Sequence, residues 1–159
     1  MNKLRILRLC VASIFSIFCI FSPIPLAAEE QPISVSTSIV QDINCLAAAI
    51  HHEARGESKV GQLAVAHVVL NRMASGRFPD SLCGVVYQRT PNSCQFSWVC
   101  QSSKRREEPN STAKEIAWDV VMNETKDPSK GSLFFHTTNL GQAFNRKKTI
   151  VIGNHVFYK

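Results

Sequence analysis

No apolar run in this 159-residue chain is long enough for a comfortable membrane span; the longest, Leu9 to Phe21, falls well short. A glycine-rich nucleotide loop is missing, and so is a His-Glu-x-x-His metal motif, because position 56 is glycine. The expectation is therefore no cofactor and no metal. Neither an internal repeat nor a low-complexity tract occurs, which excludes solenoids and disordered arrays. Acidic residues are scarce, 12 against 18 basic ones. That excess is mild; it suits residence beside an anionic envelope polymer and does not by itself indicate nucleic acid.

What is present begins with Lys3, Arg5 and Arg8, then the apolar stretch, then "SPIPLAAEE". A basic head, an apolar middle and small residues at a cleavage point read as a secretory signal over 1–28, cut after Ala28 or Ala27. An uncleaved anchor is the alternative; neither Cys10 nor Cys19 sits in a convincing lipoprotein signal. Residues 29–37 read as a tether and 38–159 as one catalytic domain. Removing the signal leaves 15 basic and 12 acidic residues, a net charge near +3. Export to a periplasm or the cell envelope is expected, with no stable membrane insertion after cleavage, no nucleic-acid partner and a monomeric chain. Cys45, Cys83, Cys94 and Cys100 remain, and an even number in an exported chain implies two disulfides. Three pairings are open, of which Cys94–Cys100 with Cys45–Cys83 is favoured.

The coarse pattern is that of a mainly helical α+β domain. Ser38 or Asp42 can cap a helix running to about Arg55, and Val60 to Ala74 is apolar nearly all round, as a central core helix is. Asp80 caps a short third helix. "CQFSWVC" alternates as a short strand or hairpin arm does, and "SSKRREEPN", residues 102–110, as a charged surface loop. Thr112 to Glu115 forms a capping box opening a helix to about Glu124. Strands are expected at Leu133 to His136 and Val156 to Tyr158.

The polar stretch "HHEARGE", residues 51–57, interrupts the first helix's apolar stripe. Glu53 lies three, four and seven residues after Ile50, Ala49 and Leu46, on the apolar face. A carboxyl group there is partly desolvated, which raises its pKa toward the range a general acid on a glycosidic oxygen needs. The plainer alternative is a helix-end carboxylate neutralising Arg55, His51 or His52. Glu57 follows one turn on, but Gly56 interrupts the helix, so ordering the turn or the cleft wall suits it better.

In order along the chain, "EARGE", "GQLAVAHVVLNR", "FPDSLCGVVYQ", "CQFSWVC", "PNSTAKEIA", "DPSKGSLFFH" and "IGNHVFYK" resemble the SleB-type cell-wall hydrolases, collinearly from about Cys45 to Lys159. The resemblance implies a single lysozyme-like domain related to lytic transglycosylases and goose-type lysozymes. It implies that Glu53 is the catalytic residue and that peptidoglycan glycan strands are the substrate, cut between N-acetylmuramic acid and N-acetylglucosamine. One confident carboxylate suits a transglycosylase that closes a 1,6-anhydro ring; simple hydrolysis by a muramidase stays open. Gln95, Phe96 and Ser97 are expected to line the cleft with Glu53 and Glu57, and His136 and Tyr158 to offer polar tips to it. Asn71 and Arg72 read as structural, bonded to loop backbone. Where relatives often carry an aromatic or small pair before the glutamate, this chain has His51-His52, a titrating group beside the acid.

Three readings from other classes compete. A metallohydrolase could use His51, His52 and Glu53, although adjacent helical histidines diverge by about 100°. A papain-like wall peptidase could use Cys45 with His136 or His155, which needs a free thiol. A non-catalytic wall-binding module could keep the same scaffold.

Overall fold

Ser36 opens the first helix. Its hydroxyl accepts from Ile39 N, and α1 runs Thr37–Ala54. The computed structural model describes residues 36–123, 125–141 and 145–159; the expected signal and nearly all of the tether lie outside them. The remaining caps are Ser58 for α2 (Lys59–Ala74), Ser81 for α3 (Leu82–Val86) and Asn110 for α5 (Ser111–Met122). The last two correct the expected caps at Asp80 and Thr112, as Ser36 does those at Ser38 and Asp42. In each case a Ser or Asn oxygen meets the N–H three residues on, and Ser38 and Thr112 already lie inside the first turn.

α1, α2, α3 and α5 enclose the main core, with Leu46, Ile50, Val69, Val85 and Ile116 almost fully buried. Each such side chain contributes about 1.5–3 kcal/mol of transfer free energy. α2 is the central helix expected of its all-round apolar pattern, burying Ala64 to Val69 without a break. A disulfide joins Cys45 on α1 to Cys83 on α3, Cα atoms 5.2 Å apart.

A second disulfide links Cys94 and Cys100, 5.9 Å apart at Cα, so both favoured pairings are the ones found. This ring corrects the strand expected for "CQFSWVC". Six residues of strand would span about 20 Å, so a bridge between its ends demands a reversal. The chain instead forms a two-residue hairpin, β1 (Arg89–Thr90) with β2 (Ser93–Cys94), then a 3₁₀ turn over Ser97–Cys100. The charged loop that follows contains one helical turn, α4 (Ser102–Arg105).

The C-terminal sheet has the antiparallel order β3 (Phe134–Thr137), β5 (His155–Tyr158), β4 (Lys148–Ile152). Phe157 on the fully buried centre strand packs on Ala54, Ala64, Val65 and Val68, a smaller second core that docks the sheet on α2. The β4–β5 turn passes through Gly153 at φ +54°, where a side chain would collide with the Glu57 carboxylate.

Candidate active site

Glu53 occupies the last turn of α1, beside the α1–α2 connection, and its side chain is partly buried. It faces a cleft of about 440 Å³ lined also by Arg72, Gln95, Phe96, Ser97, Phe134, Phe135 and Arg146. Three pieces of the fold meet there: the end of α1, the disulfide ring, and the edge of the sheet with α2 beneath. Burial pushes the Glu53 carboxyl above its ordinary value; Arg72, the Trp98 indole N–H and Lys104 pull it down but do not win. Trp98 Nε1 is buried and forms no well-aligned hydrogen bond among the described residues, so its pull on Glu53 is a weak one.

Arg72 is the buried cation of the site. Its Nε donates to Leu133 O at 2.7 Å, and its guanidinium lies 5.2 Å from the Phe78 and Phe96 rings. Burial brings its pKa down to about 10 against the opposing pull of Glu53, so it stays charged at neutral pH. Nη1 is buried with no hydrogen-bond partner among the described residues. The structural role expected of Asn71 and Arg72 is visible. Asn71 Nδ2 donates to Asp127, Ser129 and the Ser132 carbonyl, fixing the loop that leads into β3. Arg72 adds to this a place in the cleft that its sequence position did not announce.

The histidines before Glu53 point elsewhere. His52 stacks on Trp98, ring centroids 4.3 Å apart, and burial followed by the charge of His51 holds its pKa below the ordinary value. His51 accepts from Asn110 N at its Nδ1 and meets Glu107 through Nε2 at 3.5 Å, while Arg55 donates to the same Glu107 oxygen at 2.8 Å. His51, His52 and Glu107 bring three potential ligand atoms within 4.8 Å of one another, and Glu53 is not among them. Both His51 nitrogens already have protein partners, Asn110 N at Nδ1 and Glu107 and Arg55 at Nε2, and Arg55 also neutralises Glu107. The cluster is a hydrogen-bond network. The metal reading built on Glu53 loses its glutamate, and the papain-like reading fails because Cys45 is disulfide-bonded.

Of the residues singled out in the sequence, Glu53, Gln95, Phe96 and Ser97 come together in this cleft. Glu57 does not join them: its carboxylate accepts from Asn154 N and Nδ2, both at 3.1 Å, and clasps the β4–β5 turn. His136 and Tyr158 are buried and bonded to each other, Nε2 to hydroxyl at 2.7 Å; Tyr158 lines a neighbouring pocket. Phe134, Phe135 and Arg146 were missed. Two adjacent phenylalanines on a strand face opposite sides of a sheet, a signal that one of them borders something other than the main core.

Residues 56–158 match the family profile described as Cell Wall Hydrolase, a match that begins three residues beyond Glu53. The chain is 37% identical over 121 residues to a spore cortex-lytic enzyme of Oceanobacillus iheyensis, covering 74% of this chain and 41% of that one. It is 34% identical over 119 residues to the spore cortex-lytic enzyme of Bacillus subtilis, covering 73% and 37%. The chain thus spans about two fifths of the length of these curated relatives. Among solved structures, the catalytic domain of the germination-specific lytic transglycosylase SleB from Bacillus anthracis superposes with a TM-score of 0.64 at 30% identity, covering 81% of this chain and all of that one. The SleB catalytic domain of Bacillus cereus gives 0.62 at 29%, covering 79% and 99%. The fold is the lysozyme-like, mainly helical α+β fold of these domains.

Proposed function

Because this chain belongs to the cell wall hydrolase family, we propose that it cleaves the glycan strands of peptidoglycan and that Glu53 carries out the chemistry. The observation that carries this reading is the Glu53 carboxyl itself: partly buried, raised in pKa, and the sole carboxylate among the described residues that line the cleft.

A protonated Glu53 donates to the glycosidic oxygen between N-acetylmuramic acid and N-acetylglucosamine as that bond breaks and positive charge develops at the muramoyl C1. The new carboxylate then takes the proton of the muramoyl C6 hydroxyl, whose oxygen bonds to C1. The products are a 1,6-anhydro end and a free N-acetylglucosamine hydroxyl, with Glu53 restored and no water consumed. A hydrolytic mechanism commonly uses a second carboxylate to direct water. Among the described residues none besides Glu53 lines this cleft, and Glu57 is held by Asn154, which favours ring closure. Arg72 stabilises the transient Glu53 carboxylate without neutralising the acid beforehand, since desolvation outweighs its pull. Phe134 and Phe135 add apolar wall to the cleft, and Gln95 and Ser97, both exposed, offer hydrogen bonds to the sugars. The two disulfides suit action in an oxidising envelope compartment.

Mass spectrometry of the fragments released from purified sacculi tests both parts. The expected product is an anhydromuramoyl end, about 18 Da lighter than a hydrolytic one because one water is not taken up. Glu53→Gln keeps the shape and removes the acid, and is expected to abolish release. A variant as active as its parent overturns the mechanism, and a reducing muramoyl end assigns hydrolysis instead.

A further inference from the structure

Beyond Asp127 the sequence contains no acidic residue, yet it carries Lys130, Arg146, Lys147, Lys148 and Lys159. Two of these cations, Arg146 and Lys148, border a pocket of about 560 Å³ with Thr138, Val151, Val156 and Tyr158. Arg146 also lines the Glu53 cleft, so the two spaces share a wall.

The sheet register shows how they connect. Phe134 on β3 pairs with Tyr158 on β5, and Tyr158 pairs with Lys148 on β4. Residues directly opposite in antiparallel strands share a face, so these three form one row across the sheet. The row begins in the cleft, at Phe134, and ends at the ammonium of Lys148. The Arg146 guanidinium lies 3.8 Å from the Phe134 ring centroid, a stack that holds its planar fork beside the boundary. Among the described residues neither Arg146 nor Lys148 has a carboxylate within ion-pair distance. Both are exposed, above a floor made of the buried Val156 and Tyr158. Two cations over an apolar floor form a site for an anion with some apolar body attached.

We propose that this pocket is a subsite for a carboxylate of the peptide stem borne by the muramoyl residue bound at Glu53. The inference rests on the glycan-cleaving reading above. The geometry is commensurate: two strand spacings separate Phe134 from Lys148, about 10 Å, and an extended peptide covers that in roughly three residues. The lactyl carboxylate exposed when a strand loses its stem offers the same chemistry, but it lies at the sugar itself, short of Lys148. The consequence is a preference for peptide-bearing strands over stripped ones.

The test compares sacculi with intact stems against the same material stripped by an amidase, using the parent chain, Lys148→Glu and Lys148→Arg. Lys148→Glu is expected to lower kcat/KM on peptide-bearing strands about three- to tenfold, as loss and reversal of an exposed charge contact does, and to leave stripped strands within about twofold. Lys148→Arg is expected to retain the preference. A binding measurement with Glu53→Gln, which is not expected to turn over, uses a muramoyl tripeptide and its carboxamide; the free acid is expected to bind more tightly, with the difference lost in Glu53→Gln/Lys148→Glu. Equal losses on both strand types, or no loss on either, overturn the subsite while leaving the glycosidase reading intact. A parent chain that releases nothing from either substrate overturns both.

Discussion

At the scale of single residues, Glu53 works against two opposing influences. Burial raises its pKa, and the Trp98 indole N–H is among the groups that lower it. The proposed reaction needs Glu53 protonated, so kcat/KM is expected to fall as pH rises through its pKa. Trp98→Phe keeps an aromatic ring for His52 to stack on and removes the N–H. With one lowering influence gone the Glu53 pKa rises, so the alkaline limb of the kcat/KM profile is expected to move to higher pH. An unmoved limb would show that the indole N–H does not act on the acid. The placement of Glu53 was legible because helical spacing puts that carboxyl on the apolar face, while its expected role came from the family resemblance of "EARGE". Arg72 was not legible. Its neighbours in sequence, Asn71 and Met73, are partly buried and mark no site, and its place beside Glu53 depends on how α1 packs against α2, which no local pattern records. His51 and His52 were awkward metal ligands already by helical geometry, but their actual partners, Asn110 and Trp98, come from distant parts of the chain and were not legible.

At the scale of elements, the helices were readable and the short strands less so. Apolar periods located α1 and α2, and a capping-box pattern α5, to within a few residues, while caps slipped because several Ser, Thr, Asp and Asn side chains compete at each helix start. β4 was missed because three cations, Arg146 to Lys148, lead into it and hide its alternation. The "CQFSWVC" stretch shows alternation misleading in the other direction: its period matched a strand, but the bridge between its ends required a ring. Gln95, Phe96 and Ser97 lie inside that ring, which therefore shapes one wall of the cleft. By loop-closure entropy a crosslink over so short a segment contributes only about 2 kcal/mol, against about 4 kcal/mol for Cys45–Cys83. Replacing Cys94 and Cys100 together by serine is thus expected to cost little in urea denaturation and to lower kcat/KM at least tenfold. The Cys45/Cys83 pair of substitutions is expected to show the reverse, a large stability loss with smaller effect on the folded enzyme's activity. Equal activity losses at equal folded fraction would argue against the ring as cleft wall.

At the scale of the whole molecule, the sheet must be held against the helices for the cleft to exist. Phe157 and its small core supply most of that attachment, and Glu57 adds a charged clasp on Asn154. Glu57→Ala is expected to destabilise the domain by about 1–2 kcal/mol, as loss of charge-assisted hydrogen bonds at a partly exposed position does, and to lower kcat/KM. Glu57→Gln is expected to preserve most of both, read by denaturant titration and sacculus digestion. A strong catalytic defect in Glu57→Gln with unchanged stability would instead place Glu57 in the chemistry. The clasp sits just four residues along the chain from Glu53, so the β4–β5 turn is tied to the same short stretch that carries that carboxyl, and the sheet is registered to it over a brief tether.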